Sequence, residues 1–142
     1  FIDKEQITKD GLTVYESAED LYANNQYVSL HIPANEKTKQ SIGYDLLSKM
    51  PENAVLVNTA RKEVINEDEL LKVMNNRNDF TYISDIAPDC KDEIAEKFEG
   101  RFFFTPKKMG AQTREANINA GLAATNQIVN FFEKGDTTFK VN

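Results

Sequence analysis

The chain has 142 residues, 40% hydrophobic and 28% charged, which suits an ordinary globular domain and argues against wholesale disorder. Its net charge of −6 disfavours a nucleic-acid or anionic-membrane surface, and no apolar run approaches the ~20 residues of a membrane span. A single cysteine, Cys90, and a single histidine, His31, leave neither a disulfide framework nor a Cys/His zinc site, so no metal is expected.

In chain order, Thr13-Val14-Tyr15 could form a short strand, and Ser17 opens a helix with Asp20 in place of the preferred Glu or Gln. Tyr27 to Ile32 reads as a strand, followed by a helix from Thr38 to Met50. Ala54 to Asn58 is a near-continuous apolar run, the pattern of a strand buried on both faces. Asn66 caps a helix running through Arg77; Glu69 completes a capping box, and Leu70, Leu71, Val73 and Met74 supply the apolar stripe. Phe80 to Ile86 is a third strand, Lys91 to Phe98 a short helix stopped by Gly100, and Arg101 to Thr105 a fourth strand. A long helix from Gln112 to Lys134 ends at Gly135. Strands alternating with helices predict parallel β-α units with helices covering the sheet.

Ligands of open α/β sheets bind beyond the carboxyl ends of the strands. Here those ends are followed by His31-Ile32-Pro33, Asn58-Thr59-Ala60-Arg61, Asp85-Ile86-Ala87-Pro88 and Thr105-Pro106-Lys107-Lys108. An Arg, an Asp and two Lys along one sheet edge could hold a polar, anionic ligand. No Gly-x-Gly pair occurs anywhere, so the chain lacks a Gly-rich phosphate loop of the dinucleotide type.

At these loops the sequence resembles the D-2-hydroxyacid dehydrogenases. Tyr27 to Pro33 with Glu36 and Thr38 resembles that family's V-S-L-H-x-P segment, and Asn53 to Arg61 its G-A-x-L-V-N-T-A-R signature, continued by Glu63-Val64-Ile65 and Glu67 to Leu71. Asp85 falls on the Asp of D-V-F, and Thr105-Pro106 with Gly110 to Thr113 matches the T-P-H-x-G-x-x-T block. Within the family the resemblance is greatest to short 3-phosphoglycerate dehydrogenases lacking a regulatory domain. It implies an incomplete Rossmann-type doubly wound parallel sheet with helices on both faces. Residues 1–142 would be the C-terminal portion of an NAD-binding domain, without the Gly-rich loop or the substrate domain. The opening Phe1, in place of Met, fits such a fragment of a longer chain.

The implied reaction transfers a hydride between a 2-hydroxy acid, expected to be 3-phosphoglycerate of serine biosynthesis, and NAD. Arg61 is implied to hold the substrate carboxylate and oxyanion, and Asp85 to accept from the nicotinamide carboxamide. His31, Ile32, Pro33, Asn58, Thr59 and Ala60 are implied to line the cofactor path. The family's catalytic Glu is replaced by Cys90 and its His by Lys107 or Lys108, with Lys108 preferred. A lysine moves that proton only if its pKa falls well below the ordinary ~10.4. The parent is expected to be a cytoplasmic homodimer binding a small-molecule substrate and neither nucleic acid nor membrane, and the isolated chain to be inactive. The alternative is a non-catalytic, corepressor-like NAD-binding module of the same fold.

Overall fold

Four short strands, β1 (Tyr27–Leu30), β2 (Val55–Asn58), β3 (Thr81–Ser84) and β4 (Phe102–Phe104), pair in parallel and in chain order. The computed structural model describes residues 3–107 and 113–141, which separate into two compact units, residues 1–108 and 109–142. The sheet belongs to the first unit. Its register places Leu30, Asn58, Ser84 and Phe104 in one row across the four strands. The residues that follow, His31, Thr59, Asp85 and Thr105, therefore leave the sheet along one edge, as the alternation of elements predicts.

Burial along the strands alternates: Val28, Leu30, Leu56, Asn58, Tyr82 and Ser84 are buried, whereas Val55, Val57, Thr81 and Ile83 are half-buried. Residues 54–58, expected to form a strand buried on both faces, have one face fully buried and the other half-buried. Helices α2 (Ala18–Asn24), α3 (Tyr44–Leu47), α4 (Glu67–Asn76) and α5 (Lys91–Lys97) flank the sheet. They send Tyr22, Leu47, Leu70, Val73, Met74 and Ile94 into the cluster that holds the inward strand residues. Fully burying one Leu of this set contributes about 1.5–3 kcal/mol.

Ser17 caps α2, accepting from the Asp20 N–H at 3.0 Å. Ahead of it lies α1 (Lys4–Lys9), capped by Asp3, which the sequence pattern did not signal; residues 13–15 run as irregular chain, not as a strand. The larger correction concerns the helix expected over Thr38 to Met50, of which only α3 forms. Asn35 Oδ1 accepts from the Lys37 and Thr38 N–H groups in an Asx turn, and Gln40 takes a left-handed backbone with φ 53°. The Ile42 N–H donates to the Val64 carbonyl and the Ile42 carbonyl accepts from the Asn66 N–H, pairing Ile42 with Ile65 as an isolated parallel bridge. Backbone committed to that bridge cannot also be helical, so α3 starts only after Gly43.

Glu69 does not close the expected capping box. Asn66 Oδ1 accepts from the Glu69 N–H at 3.2 Å, but the Glu69 carboxylate accepts from the Tyr44 N–H at 2.7 Å, capping α3. A side chain on residue 43 would meet that carboxylate and displace it, so glycine there leaves room for the Glu69 cap on α3.

At the opposite end of the sheet two arginines tie elements together. Arg77 donates to the Met50 and Pro51 carbonyls, both at 2.7 Å, and to Asp79 at 2.6 Å. Arg101 donates to the Met74 and Arg77 carbonyls at 2.9 and 2.7 Å.

The second unit holds α6 (Arg114–Lys134), capped by Thr113, which accepts from the Ala116 N–H at 3.0 Å, and ended by Gly135 at φ 66°. Among the described residues no helix is long and apolar enough to cross a membrane.

The Arg77 guanidinium holds the Asp79 carboxyl down at about 2, below the ordinary 3.8, with burial opposing. A carboxyl depressed in the folded state stabilises fully above its ordinary pKa, and that stabilisation is lost as pH falls through the folded value. Wild type should therefore melt above Asp79→Asn at pH 6, and the difference should shrink steadily below pH 4 and keep shrinking as pH falls through about 2. An undiminished difference in acid would show that the ion pair is not its source.

Candidate functional site

The turn Asn58-Thr59-Ala60-Arg61 is shaped from within by Asn58, which ends β2 with its side chain 1% exposed. Asn58 Oδ1 accepts from the Ala60 N–H at 3.0 Å, and its Nδ2 donates to the Arg61 carbonyl at 2.9 Å and, more weakly, to the Tyr82 hydroxyl at 3.4 Å. The Asn58 carbonyl accepts from the Asp85 N–H at 3.2 Å and lies 3.0 Å from Ser84 Oγ. One residue thus sets both, its side-chain amide the turn that carries Arg61 and its backbone carbonyl the start of the loop that carries Asp85.

Beside that turn runs the chain after β1. His31, Ile32, Pro33 and Ala34 face Thr59, Ala60 and Arg61 across a cleft of about 430 Å³ at the carboxyl end of the strands. Six of the ten residues singled out from the sequence line it: His31, Ile32, Pro33, Thr59, Ala60 and Arg61. His31 and Arg61 are exposed; His31 Nε2 lies 2.9 Å from Ser29 Oγ, and Arg61 Nη1 donates to the Ala60 carbonyl at 2.8 Å. Pro33 is shaped by its ring and by Thr38, whose hydroxyl donates to the Pro33 carbonyl.

Asn58 lies under the cleft and does not line it. Asp85 stands half-buried one strand further along, its carbonyl accepting from Thr105 Oγ1 at 2.7 Å and its loop braced by Ser84 Oγ, which donates to the Ile86 carbonyl at 2.7 Å. Lys107 is exposed in the loop after β4, its carbonyl 2.9 Å from Thr105 Oγ1; Lys108 lies outside the described residues. Cys90 opens α5, and burial together with the Glu67 carboxylate pushes its thiol up to about 12, so it is a neutral thiol at ordinary pH. Sequence reasoning missed Ala34 as a lining residue and the supports of Asp85, namely Ser84 and Thr105; Thr105 was visible only as part of a motif.

The arrangement offers an arginine fork, backbone groups and small side chains at the end of a parallel sheet, suited to an anionic substrate group and one end of a flat, polar cofactor. The chain carries no glycine-rich turn to cradle a pyrophosphate. The residues present can therefore line one end of a flat, polar cofactor without holding a pyrophosphate in such a turn.

Residues 2–98 match the family described as D-isomer specific 2-hydroxyacid dehydrogenase, NAD binding domain. The NAD+-bound 3-phosphoglycerate dehydrogenase of Entamoeba histolytica is similar in structure at TM-score 0.79 and 47% identity, over 90% of this chain and 42% of that one. The D-3-phosphoglycerate dehydrogenase of Haemophilus influenzae is 27% identical over 132 residues, 89% of this chain and 32% of its own. A glyoxylate reductase of Korarchaeum cryptofilum is 36% identical over 73 residues, 51% of this chain and 22% of its own. The chain thus spans about a third of the length of the D-3-phosphoglycerate dehydrogenase it matches, where the coverage is 32%.

Replacing Asn58 by Ala strips the Arg61 turn of its internal hydrogen bonds, and the expected loss of stability is about 1–3 kcal/mol. Urea denaturation of the two proteins measures it. A midpoint unchanged from wild type would mean that the turn holds its shape without the buried amide.

Proposed function

Because the chain belongs to the D-isomer specific 2-hydroxyacid dehydrogenase family, in its NAD binding domain, we propose that it supplies the nicotinamide half of an active site that oxidises a D-2-hydroxy acid. Its residues 1–142 form the C-terminal portion of that domain in a longer, cytoplasmic, homodimeric enzyme. The observation that carries this reading is the cleft uniting His31, Ile32 and Pro33 with Thr59, Ala60 and Arg61 at the carboxyl end of the sheet. The favoured substrate is 3-phosphoglycerate, placing the enzyme in serine biosynthesis; two relatives carrying that name support this choice.

NAD, when bound, supplies the hydride acceptor. The cleft residues would hold its nicotinamide end, and Asp85 would accept from the carboxamide and so orient the ring. Arg61 turns its guanidinium to the substrate carboxylate and to the oxygen on C2, where its two parallel N–H donors match the carboxylate geometry. That cation favours the hydroxyl losing its proton, and Lys108, with Lys107 as the alternative, takes the proton as the C2 hydrogen leaves with its electron pair. The product is the 2-keto acid, whose developing carbonyl oxygen remains under Arg61.

The test is NADH formation by the longer protein with 3-phosphoglycerate, compared with glycerate and lactate. Arg61→Ala should lower kcat/KM by about 10²–10³, and Lys108→Ala should lower kcat by about 10²–10⁴ while Lys107→Ala keeps near-normal turnover. If both lysine variants keep normal turnover, neither lysine moves the proton. The 142-residue chain alone should bind NAD weakly, because the phosphate cradle lies outside it. A low-micromolar dissociation constant by titration calorimetry would contradict the half-site.

A further inference from the structure

The loop that begins at Asp85 is fastened at its far end by a side chain from another element. Glu67, the first residue of α4, accepts from the Asp89 N–H through Oε1 at 3.0 Å and from the Cys90 N–H through Oε2 at 2.8 Å. Asp89 in turn accepts from Lys62 Nζ at 2.6 Å. The loop is therefore joined twice to residues 62–67, the segment that continues directly from Arg61. Its near end is fixed by the bond from the Asp85 N–H to the Asn58 carbonyl.

The two fastenings differ in strength. Glu67 is half-buried, and each of its oxygens takes a charge-assisted bond from a backbone N–H. The Lys62–Asp89 pair is open to solvent, with the Asp89 side chain 78% exposed, and such pairs contribute little. A carboxylate bound to backbone also leaves little freedom of register: moving the loop by one residue would break both bonds together.

We propose that Glu67 is a positioning residue for the site, fixing the spacing between the loop that carries Asp85 and the segment that carries Arg61. The proposal rests on the roles given above to those two residues. Glu67 touches neither the cleft lining nor any group assigned to the chemistry; it acts through the backbone of Asp89 and Cys90. It also places a carboxylate against Cys90.

Hydrogen–deuterium exchange on the full chain, in wild type and in Glu67→Ala, Glu67→Gln and Lys62→Ala, tests the proposal without any ligand. In Glu67→Ala, exchange should quicken at least tenfold at Asp89 and Cys90 and also at Asp85, Ile86 and Ala60, whose N–H groups are bonded. Glu67→Gln keeps one strong acceptor oxygen and should recover part of the protection at both places, while Lys62→Ala should stay within about twofold of wild type. Quickening confined to Asp89 and Cys90 would overturn the proposal, and so would no quickening at all. Should Glu67→Ala fail to fold, the comparison of Glu67→Gln with wild type decides by the same two regions. In the longer protein, Glu67→Gln should raise the KM for NAD with a smaller change in kcat; an unchanged KM would overturn the positioning role. If wild type shows no NAD-dependent turnover, the cofactor reading fails, whereas the exchange result still decides whether Glu67 couples the two loops.

Discussion

Asn58 closes β2 with its amide turned back into the protein, and both halves of the candidate site are built from it. A buried amide has two donor and two acceptor positions to satisfy, and leaving them open is costly. Asn58 meets that demand by holding the next three residues in a tight turn and by donating to the Tyr82 hydroxyl, while its backbone carbonyl separately accepts the Asp85 N–H. The direction in which Arg61 leaves the sheet follows from this requirement, and the point at which Asp85 begins its loop follows from the bond of its N–H to the Asn58 backbone carbonyl.

The parallel register extends the same logic across the sheet. Because Leu30, Asn58, Ser84 and Phe104 form one row, every loop that leaves β1, β2 and β3 starts from a common line. Packing fixes that line: a slip of one residue would turn Val28, Leu56 and Tyr82 out of the core. The arginines Arg77 and Arg101 do the corresponding work at the other end, joining carbonyls of separate turns.

The strands and their order were legible because each is a short apolar run between turn signals, and such runs declare themselves locally. The helix expected over Thr38 to Met50 was not, since its first half is diverted into pairing with Ile65, a partner more than twenty residues away. The capping box misled for a similar reason: Glu69 has the correct spacing to Asn66, but Tyr44 presents a free helix N–H within reach. The cleft was legible through the matched motifs around His31 and Arg61. The fastening of the Asp85 loop by Glu67 was hidden, since a carboxylate in the first turn of a helix reads as an ordinary complement to the helix dipole. The preferred proton carrier, Lys108, lies outside the described residues, so its assignment stays a proposal.

Gly43 and Glu69 occupy one volume between them: the carboxylate that caps α3 stands where a Cβ on residue 43 would be. A change at either position therefore alters the other's surroundings. Enlarging residue 43 expels the carboxylate and uncaps α3, whereas shortening residue 69 opens a space that a larger residue 43 could fill, with the Tyr44 N–H still to be satisfied. In natural relatives the two positions should change as a pair, giving a correlated substitution between sites 26 residues apart in sequence, whose origin is steric and which carries no information about catalysis.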